Sequence, residues 1–331
     1  MHAILKHLFK TTAIQTFFQL VEQYDVITIY RHIAPDGDAL GSQFGLKQYL
    51  LDTYPHKQVY ALGYDGAGSK AHVYPQSDQC EDEVVKQSLA IVLDCANAPR
   101  IDDQRYQTAQ KVVSIDHHII CDHFADVEII YDLCGATCEV LTGIFVQNNI
   151  QVSKQVAQYL YMGFIADTLR FTIPTMTSQA LHFAAYLVDC GANPHAACEA
   201  QFSTSLKSYR FENFLRSNIQ IVNDHLAYVV VSKADYEAYG MTFQEAKEKV
   251  FVMGGVNEFK VWALFTQKAD GTLYNGSLRA NQILINDIAS NYRGGGHRYA
   301  CGVKDLTKDD IQKLLNELEE RILSSNTSDI V

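Results

Sequence analysis

The chain has 331 residues, of which 47% are hydrophobic and 20% are charged, and its formal net charge is -11. This length suits two domains that each bury a core, and the acidic balance argues against binding long DNA or RNA, which needs a basic surface. No apolar stretch is long enough to span a bilayer, and the start of the chain lacks a signal-peptide cleavage pattern. We therefore expect a cytoplasmic protein with small phosphorylated partners and no membrane association.

The first half of the chain alternates strand-like apolar runs with helical patterns. Strands are predicted at residues 25–31, 59–62, 89–95, 111–115 and 127–131. Helices are predicted at residues 1–18, 39–51, 136–147 and 154–167. This alternation predicts an α/β domain over residues 1–185, with a mostly parallel sheet covered on both faces. In such sheets, ligands bind beyond the carboxyl ends of the strands.

The pattern changes in the second half, where a helical linker over residues 186–215 leads to a smaller α+β domain over residues 216–331. Strands are predicted at residues 227–232, 260–266 and 272–279, and helices near residues 243–250 and 283–292. Asp270-Gly271 supplies the turn of a hairpin between the last two predicted strands.

Carboxylates and imidazoles gather at the ends of predicted elements in the first domain. The candidate ligands and catalytic groups are His32, Asp36, Asp38, Asp94, Asp116, His117, His118 and Asp167. Oxygen and imidazole ligands are what a pair of divalent ions requires, and Asp94 is the candidate bridge between two ions. An Asp-Gly-Asp turn that caps a helix, or an aspartate that ends a buried strand, is the plain structural alternative. The agreement between several strand ends favours a two-metal hydrolase.

Two details of this region bear on the prediction. Gly41-Ser42 is expected to open the helix after Asp38, where free N–H groups could hold a phosphate or orient a carboxylate. The same region also contains a set of soft ligands: His117, His118, Cys121, His123, Cys134 and Cys138. A structural zinc site needs four such ligands at a defined spacing, and the chain has no Cys-x-x-Cys pair. We therefore favour the carboxylate and histidine ligands over a zinc site.

A glycine-rich run near the C-terminus, Gly294-Gly295-Gly296-His297, follows a predicted helix. Three consecutive glycines expose backbone N–H groups and let a phosphate approach closely. Arg279 could add a planar guanidinium that binds phosphate through two hydrogen bonds. A helix end followed by a loose turn would explain one glycine but hardly three followed by a histidine. The run is therefore predicted to be a loop that clamps the substrate.

Taken together and in order, these motifs resemble the DHH phosphoesterase family over nearly the whole chain. The resemblance is strongest to the stand-alone bacterial branch that hydrolyses short oligoribonucleotides and pAp. It implies two Mn²⁺ ions, with Mg²⁺ or another divalent ion possible, in a cleft between a DHH domain and a DHH-associated domain. It also makes a homodimer conceivable.

The resemblance further implies a role for each motif residue. One metal would take His32, Asp36 and Asp94. The other would take Asp38, Asp94, His117 and Asp167. Asp116 would orient His117, and His118 would lie near the scissile phosphate. Substrate would be held by Ser42, Arg170, Arg279, Gly294, Gly295, Gly296 and His297.

The expected reaction is in-line displacement at phosphorus by water whose pKa the metals lower. Its substrates would be oligoribonucleotides of roughly two to five nucleotides, because a domain cleft suits the end of a short chain, and also pAp. Two alternatives stay open: a phosphodiesterase for pApA or cyclic di-AMP, and a catalytically silent nucleotide-binding sensor. Leu169 and Cys301 replace residues that are usually glycine and alanine in the family, and Leu169 leaves the substrate preference open.

Overall fold

The computed structural model describes residues 9–65 and 73–326. The chain forms two compact units, Met1–Ser203 and Thr204–Val331, and the division falls inside the segment predicted to be a linker. The helix predicted over residues 1–18 lies partly outside the described residues, and the first described helix, α1, is Thr12–Gln23. Within the described ranges, no helix combines the length and the apolar character needed to cross a bilayer.

The first unit is built on a five-stranded parallel sheet. Its strands are β1 (Val26–Tyr30), β2 (Gln58–Ala61), β3 (Leu89–Leu93), β4 (Lys111–Asp116) and β5 (Val127–Ile130). Their order in the sheet is β2-β1-β3-β4-β5, and every neighbouring pair is parallel. All residues of β3 are buried, as expected for a central strand that is covered on both faces. The predicted α/β class is confirmed.

The described part of the first unit contains six further α-helices. They are α2 (Gly37–Thr53), α3 (Asp82–Val85), α4 (Thr137–Gln147), α5 (Lys154–Asp167), α6 (Ser178–Asp189) and α7 (Pro194–Phe202). The predicted bounds of α4 and α5 are confirmed to within one residue, whereas α6 was not predicted.

Helix α2 begins earlier than predicted because Asp36 caps it. The Oδ1 atom of Asp36 accepts hydrogen bonds from the backbone N–H groups of Asp38 and Ala39, at 3.0 and 3.1 Å. Gly41 and Ser42 therefore lie in the second turn, and the expectation that they open the helix is wrong. At Gly41 the helix instead touches α5, since a Cβ atom there would lie 2.7 Å from the Tyr159 carbonyl oxygen.

The second unit is built on a six-stranded mixed sheet in the order β10-β11-β9-β8-β7-β6. Its strands are β6 (Gln220–Val222), β7 (Leu226–Val231), β8 (Val261–Gln267), β9 (Tyr274–Ala280), β10 (Gly295–His297) and β11 (Ala300–Leu306). Its helices are α8 (Leu206–Ser217), α9 (Lys233–Ala238), α10 (Phe243–Lys247), α11 (Asn286–Ser290) and α12 (Lys308–Asn326). The predicted hairpin between β8 and β9 is confirmed, with Gly271 at a φ of 75°.

Each face of this sheet has its own core. One core joins the sheet to α12 through residues such as Leu278, Val303 and Leu314. The other joins it to α8 and α9 through residues such as Phe211 and Leu264. Arg279 alternates with Leu278 along β9 and therefore lies on the second face.

Candidate active site

Asp94 lies at the centre of the polar cluster in the first unit. It follows β3 directly, with a φ of 57°, a left-handed conformation that aspartate adopts more readily than most residues. Its Oδ2 atom is 3.5 Å from His32 Nε2, and its Oδ1 atom is 3.5 Å from His117 Nε2. The buried carboxylate therefore directs one oxygen toward each of two groups of potential ligands.

The first group contains His32, Asp36 and Asp94, whose ligand atoms all lie within 4.8 Å of one another. His32 Nε2 is 3.6 Å from Asp36 Oδ2, while the other oxygen of Asp36 caps α2. The ring of His32 is held by a hydrogen bond between its Nδ1 atom and the Ile33 carbonyl, at 2.9 Å. One histidine nitrogen and two carboxylates thus converge on the same point.

The second group contains Asp38, His117 and Asp167 within the same limit. His117 Nε2 is 3.5 Å from Asp167 Oδ2 and 3.9 Å from Asp38 Oδ2. This nitrogen atom is buried, and among the described residues it has no hydrogen-bond partner. The opposite nitrogen, Nδ1, is bonded to the Cys134 carbonyl at 3.2 Å, so the ring presents Nε2 to the carboxylates.

Asp116 orients His118, which corrects the expectation that it orients the ring of His117. The Oδ1 atom of Asp116 lies 2.8 Å from His118 Nδ1 and also accepts from the backbone N–H groups of both histidines. The Cys134 carbonyl holds His117 instead, because the chain after β5 brings that carbonyl next to the imidazole. The two adjacent histidines therefore have separate hydrogen-bonding partners.

The electrostatics of the cluster reflect an excess of buried carboxylates. Burial, together with the charge of Asp94, raises the pKa of Asp38 to about 7. Burial also raises the pKa of Asp167 well above its usual range. Burial works in the opposite direction on the imidazoles, but the neighbouring carboxylates raise the pKa of His32 to about 11 and that of His117 to about 10. A bound cation would offset this concentration of negative charge.

The donor set fits divalent metal ions. Separations of 3.5–3.9 Å between the facing atoms are too long for hydrogen bonds. They suit ligands that surround one ion at about 2.0–2.2 Å. The buried Nε2 atom of His117 has no hydrogen-bond partner among the described residues and faces these carboxylates, so it could bind an ion together with them. Within the described residues, none of the groups that could bind a metal includes a cysteine, which argues against the zinc interpretation.

Thr137 is a residue of this cluster that the sequence analysis missed. Its hydroxyl donates a hydrogen bond to Asp94 Oδ1 at 3.1 Å, and its backbone N–H donates to Asp38 Oδ2 at 2.5 Å. One feature of the sequence could have pointed to this contact. Ala136 occupies the N-cap position of α4, and alanine has no side-chain acceptor for the first N–H groups of the helix. A helix that begins in this way needs its cap from elsewhere in the chain.

The two substrate residues predicted in the first unit differ in their surroundings. Ser42 is fully buried and its hydroxyl donates to the Ala39 carbonyl at 3.1 Å, so it is not brought to the surface of the cluster. Arg170 is exposed, and its guanidinium lies 4.5 Å from the ring centroid of Phe202. Only Arg170 is therefore accessible to a ligand.

The segment directly after Asp167 has an unusual backbone. Leu169, Arg170 and Phe171 have φ angles of 47°, 61° and 65°, so three consecutive residues are in the left-handed region. This conformation costs about 1–2 kcal/mol for a residue with a side chain. The Leu169 side chain is 58% exposed and recovers little of this energy by burial. Backbone strain of this kind is often found at functional sites.

We expect Leu169→Gly to raise the free energy of unfolding by about 1 kcal/mol, because glycine adopts a positive φ without steric strain. Chemical denaturation monitored by circular dichroism would measure the change. Leu133→Gly is the matched control, since Leu133 is 84% exposed and is not among the residues with positive φ. Equal changes in the two variants would contradict the assignment of strain to residue 169.

In the second unit, Arg279 is the candidate group for binding an anion. It pairs in register with Ala300 on β11 and with Trp262 on β8. The side chain is half-buried, which lowers its pKa, and it donates one hydrogen bond to the Leu278 carbonyl at 2.8 Å. Within the described part of the chain, no carboxylate lies within ion-pair distance of it. The remaining guanidinium donors are therefore available to a ligand.

Gly295–His297 of the glycine-rich run form a short strand, β10, rather than the predicted loop, because they pair with β11. A Cβ atom at Gly294 would collide with the Gly302 carbonyl, and one at Gly296, where φ is 137°, would collide with the Ala300 carbonyl. Packing thus explains these two glycines. Gly295 is different, since a Cβ atom there would meet no described atom within 4 Å. The packing of the described residues therefore does not explain why residue 295 is a glycine.

Comparison with known proteins agrees with this architecture. Residues 26–164 match the model of the DHH family, N-terminal domain, and residues 224–324 match that of the DHHA1 domain. The chain is 32% identical over 308 residues to the probable bifunctional oligoribonuclease and PAP phosphatase NrnA of Streptococcus mutans, with 93% of this chain and 98% of that protein covered. It is 30% identical over 313 residues to the bifunctional oligoribonuclease and PAP phosphatase NrnA of Bacillus subtilis, with 94% and 97% covered.

A solved structure shares the fold. The exopolyphosphatase-related protein from Bacteroides fragilis superimposes with a TM-score of 0.83 at 20% identity, over 92% of this chain and 96% of that one. Sequence and structure thus agree over nearly the whole length of the chain. The chain therefore belongs to the DHH family and combines the family's N-terminal domain with a DHHA1 domain.

Proposed function

We propose that this protein is a metal-dependent phosphoesterase that hydrolyses short oligoribonucleotides to mononucleotides and pAp to AMP, with two Mn²⁺ ions as cofactors. The observation that carries the proposal is the Asp94 carboxylate, which faces a ligand group on each side. The names of the relatives at 32% and 30% identity support the choice of substrates. In this proposal residues 1–185 hold the metals and residues 216–331 bind the substrate.

Each of the two ligand groups would hold one ion. His32, Asp36 and Asp94 would hold one ion. Asp38, His117 and Asp167 would hold the other, together with the second oxygen of Asp94. Bound divalent ions would polarise the phosphoryl oxygens and lower the pKa of water. The chain's own contribution is to fix the direction of each carboxylate oxygen before substrate arrives.

His118 is the proposed proton donor. Its Nδ1 atom is bonded to the buried Asp116 carboxylate, so its Nε2 atom is on the side of the ring away from Asp116. Burial lowers the pKa of His118, but the hydrogen bond and charge of Asp116 outweigh it and raise the pKa above its usual value. The imidazole can therefore keep a proton near neutral pH and deliver it to the leaving oxygen of the substrate.

The experiment that tests the proposal compares substrates side by side. Purified protein with Mn²⁺ should convert short 5′-labelled RNAs stepwise to mononucleotides and should convert pAp to AMP. Rapid hydrolysis of cyclic di-AMP or pApA without turnover of short RNA would favour a cyclic-dinucleotide phosphodiesterase. Nucleotide binding without any hydrolysis would favour a silent sensor. Parallel assays with Mg²⁺ would test the choice of metal.

Two variants connect this activity to the cluster. His117→Ala removes the buried Nε2 atom, and Asp116→Ala removes the acceptor that holds His118. Both should lose turnover of short RNA in the same assay. Wild-type rates in both variants would contradict the proposal.

We expect Arg279→Ala to raise the KM for pAp by roughly 10- to 100-fold, because a hydrogen bond to a charged group contributes about 1.5–3 kcal/mol. Binding can be followed directly in the wild type, since Trp262 is the only tryptophan and pairs with Arg279 across the strands. Its emission should change on titration with pAp. Arg216→Ala, at an exposed position on α8, is the matched control and should leave KM unchanged. An unaltered KM in Arg279→Ala would remove Arg279 from the substrate site.

A further inference from the structure

The N-terminus of α4 is capped by a residue from another helix. The first N–H groups of a helix need acceptors outside it, and Ala136 cannot provide one from its side chain. Asp38 on α2 provides acceptors for two of these N–H groups. Its Oδ2 atom accepts from Thr137 N at 2.5 Å, and its Oδ1 atom accepts from Cys138 N at 2.9 Å. The positive end of α4 thus fixes the Asp38 carboxylate, which is fully buried.

Thr137 links this capping contact to Asp94. Its hydroxyl donates to Asp94 Oδ1, the same oxygen that faces His117 Nε2. Thr137 is 0% exposed and Asp94 is 1% exposed, so solvent has little access to replace the hydroxyl. One residue therefore contacts two carboxylates that come from different elements, the first turn of α2 and the end of β3.

We propose that Thr137 is a positioning residue that fixes the orientation of Asp94. Its hydrogen bond stops the carboxylate from rotating about the Cβ–Cγ bond, so that Oδ2 stays directed at His32 and Oδ1 at His117. The backbone N–H of Thr137 donates to Asp38, so the same residue contacts both carboxylates. The inference rests on the proposed function, since its purpose is to keep one oxygen of Asp94 available to each metal ion.

The test compares Thr137→Val, which keeps the shape but loses the hydroxyl, with Thr137→Ser, which keeps the hydroxyl. Thr142→Val is the matched control, because Thr142 lies in the same helix and is equally buried. Among the described residues its hydroxyl bonds only to the Cys138 carbonyl, at 2.7 Å. Free Mn²⁺ measured by electron paramagnetic resonance during a titration gives the affinity and the number of bound ions. Kinetics with pAp give kcat and KM separately.

We expect Thr137→Val to lose roughly 10- to 100-fold in Mn²⁺ affinity, as is typical for residues that orient metal ligands. Its kcat should fall while the KM for pAp changes little, and Thr137→Ser and Thr142→Val should behave like the wild type. If Thr137→Val does not fold in EDTA, Thr137→Ala replaces it with the same expectation. Wild-type Mn²⁺ affinity in a folded variant without the hydroxyl would overturn the inference about Thr137 but not the proposed function. A wild-type protein that binds no Mn²⁺ would overturn both the inference and the proposed function.

Discussion

Asp94→Asn should lower the turnover of pAp by at least about 1000-fold, which corresponds to about 4 kcal/mol of transition-state stabilisation. The amide has nearly the same size as the carboxylate, and asparagine tolerates the φ of 57° at this position. The substitution therefore removes charge without disturbing the backbone. It leaves His32 and His117 without the carboxylate that faces them both at 3.5 Å. Steady-state kinetics and the metal content after dialysis would measure the loss.

The matched control for this variant is Asp132→Asn, an exposed position in the same unit with the same change in net charge. It should keep both the activity and the bound metal. Circular dichroism should show that Asp94→Asn is folded, so that its loss is chemical rather than structural. Activity within tenfold of the wild type would rule out Asp94 as the bridging ligand.

Gly163→Ala should destabilise the first unit by about 1–3 kcal/mol, the range typical of overpacked cores. A Cβ atom at this position on α5 would collide with Cys138 Sγ and would lie 2.9 Å from the Gly37 carbonyl oxygen and 3.1 Å from the Asp38 Cα atom. Helix propensity alone predicts the opposite sign, since alanine is favoured over glycine in a helix by about 1 kcal/mol. A decrease in the free energy of unfolding would therefore show that the steric collision outweighs the helix propensity of alanine.

Gly45→Ala provides the comparison on α2. Its Cβ atom would lie 2.8 Å from Leu160 Cδ2, which is the end of a flexible side chain and can move. This variant should be close to the wild type in stability or slightly more stable. Gly163→Ala should also weaken Mn²⁺ binding, because the residues that it displaces include Asp38. Equal stability of the two variants would show that α5 can move away from α2 without loss.

Local patterns in the sequence predicted most of the first unit. Apolar runs between helical patterns predicted all five parallel strands, and Ser153 predicted the start of α5. The order of the strands was not predictable, because pairing depends on long-range burial rather than on local periodicity. That order places β3 between β1 and β4, which brings Asp94 between His32 and His117.

The second unit was less predictable. Strands β10 and β11 were missed because glycine has a low strand propensity. Pairing holds them in the sheet, since β11 pairs with β9 and β10 pairs with β11. The three glycines looked equivalent in the sequence, yet only Gly294 and Gly296 are required by neighbouring backbone. That distinction needs the position of β11, which no local pattern gives.

The sequence by itself determined the chemistry available to this protein. The residue types at the strand ends, and their order along the chain, were enough to predict a metal-dependent phosphoesterase of the DHH family. Only the tertiary structure decided which acceptor orients each histidine. Asp116 bonds to His118, whereas the Cys134 carbonyl bonds to His117. It also introduced Thr137, which the sequence analysis missed. The physical reason is that a hydrogen bond forms between groups that meet in space, whereas sequence patterns report only local backbone and burial preferences.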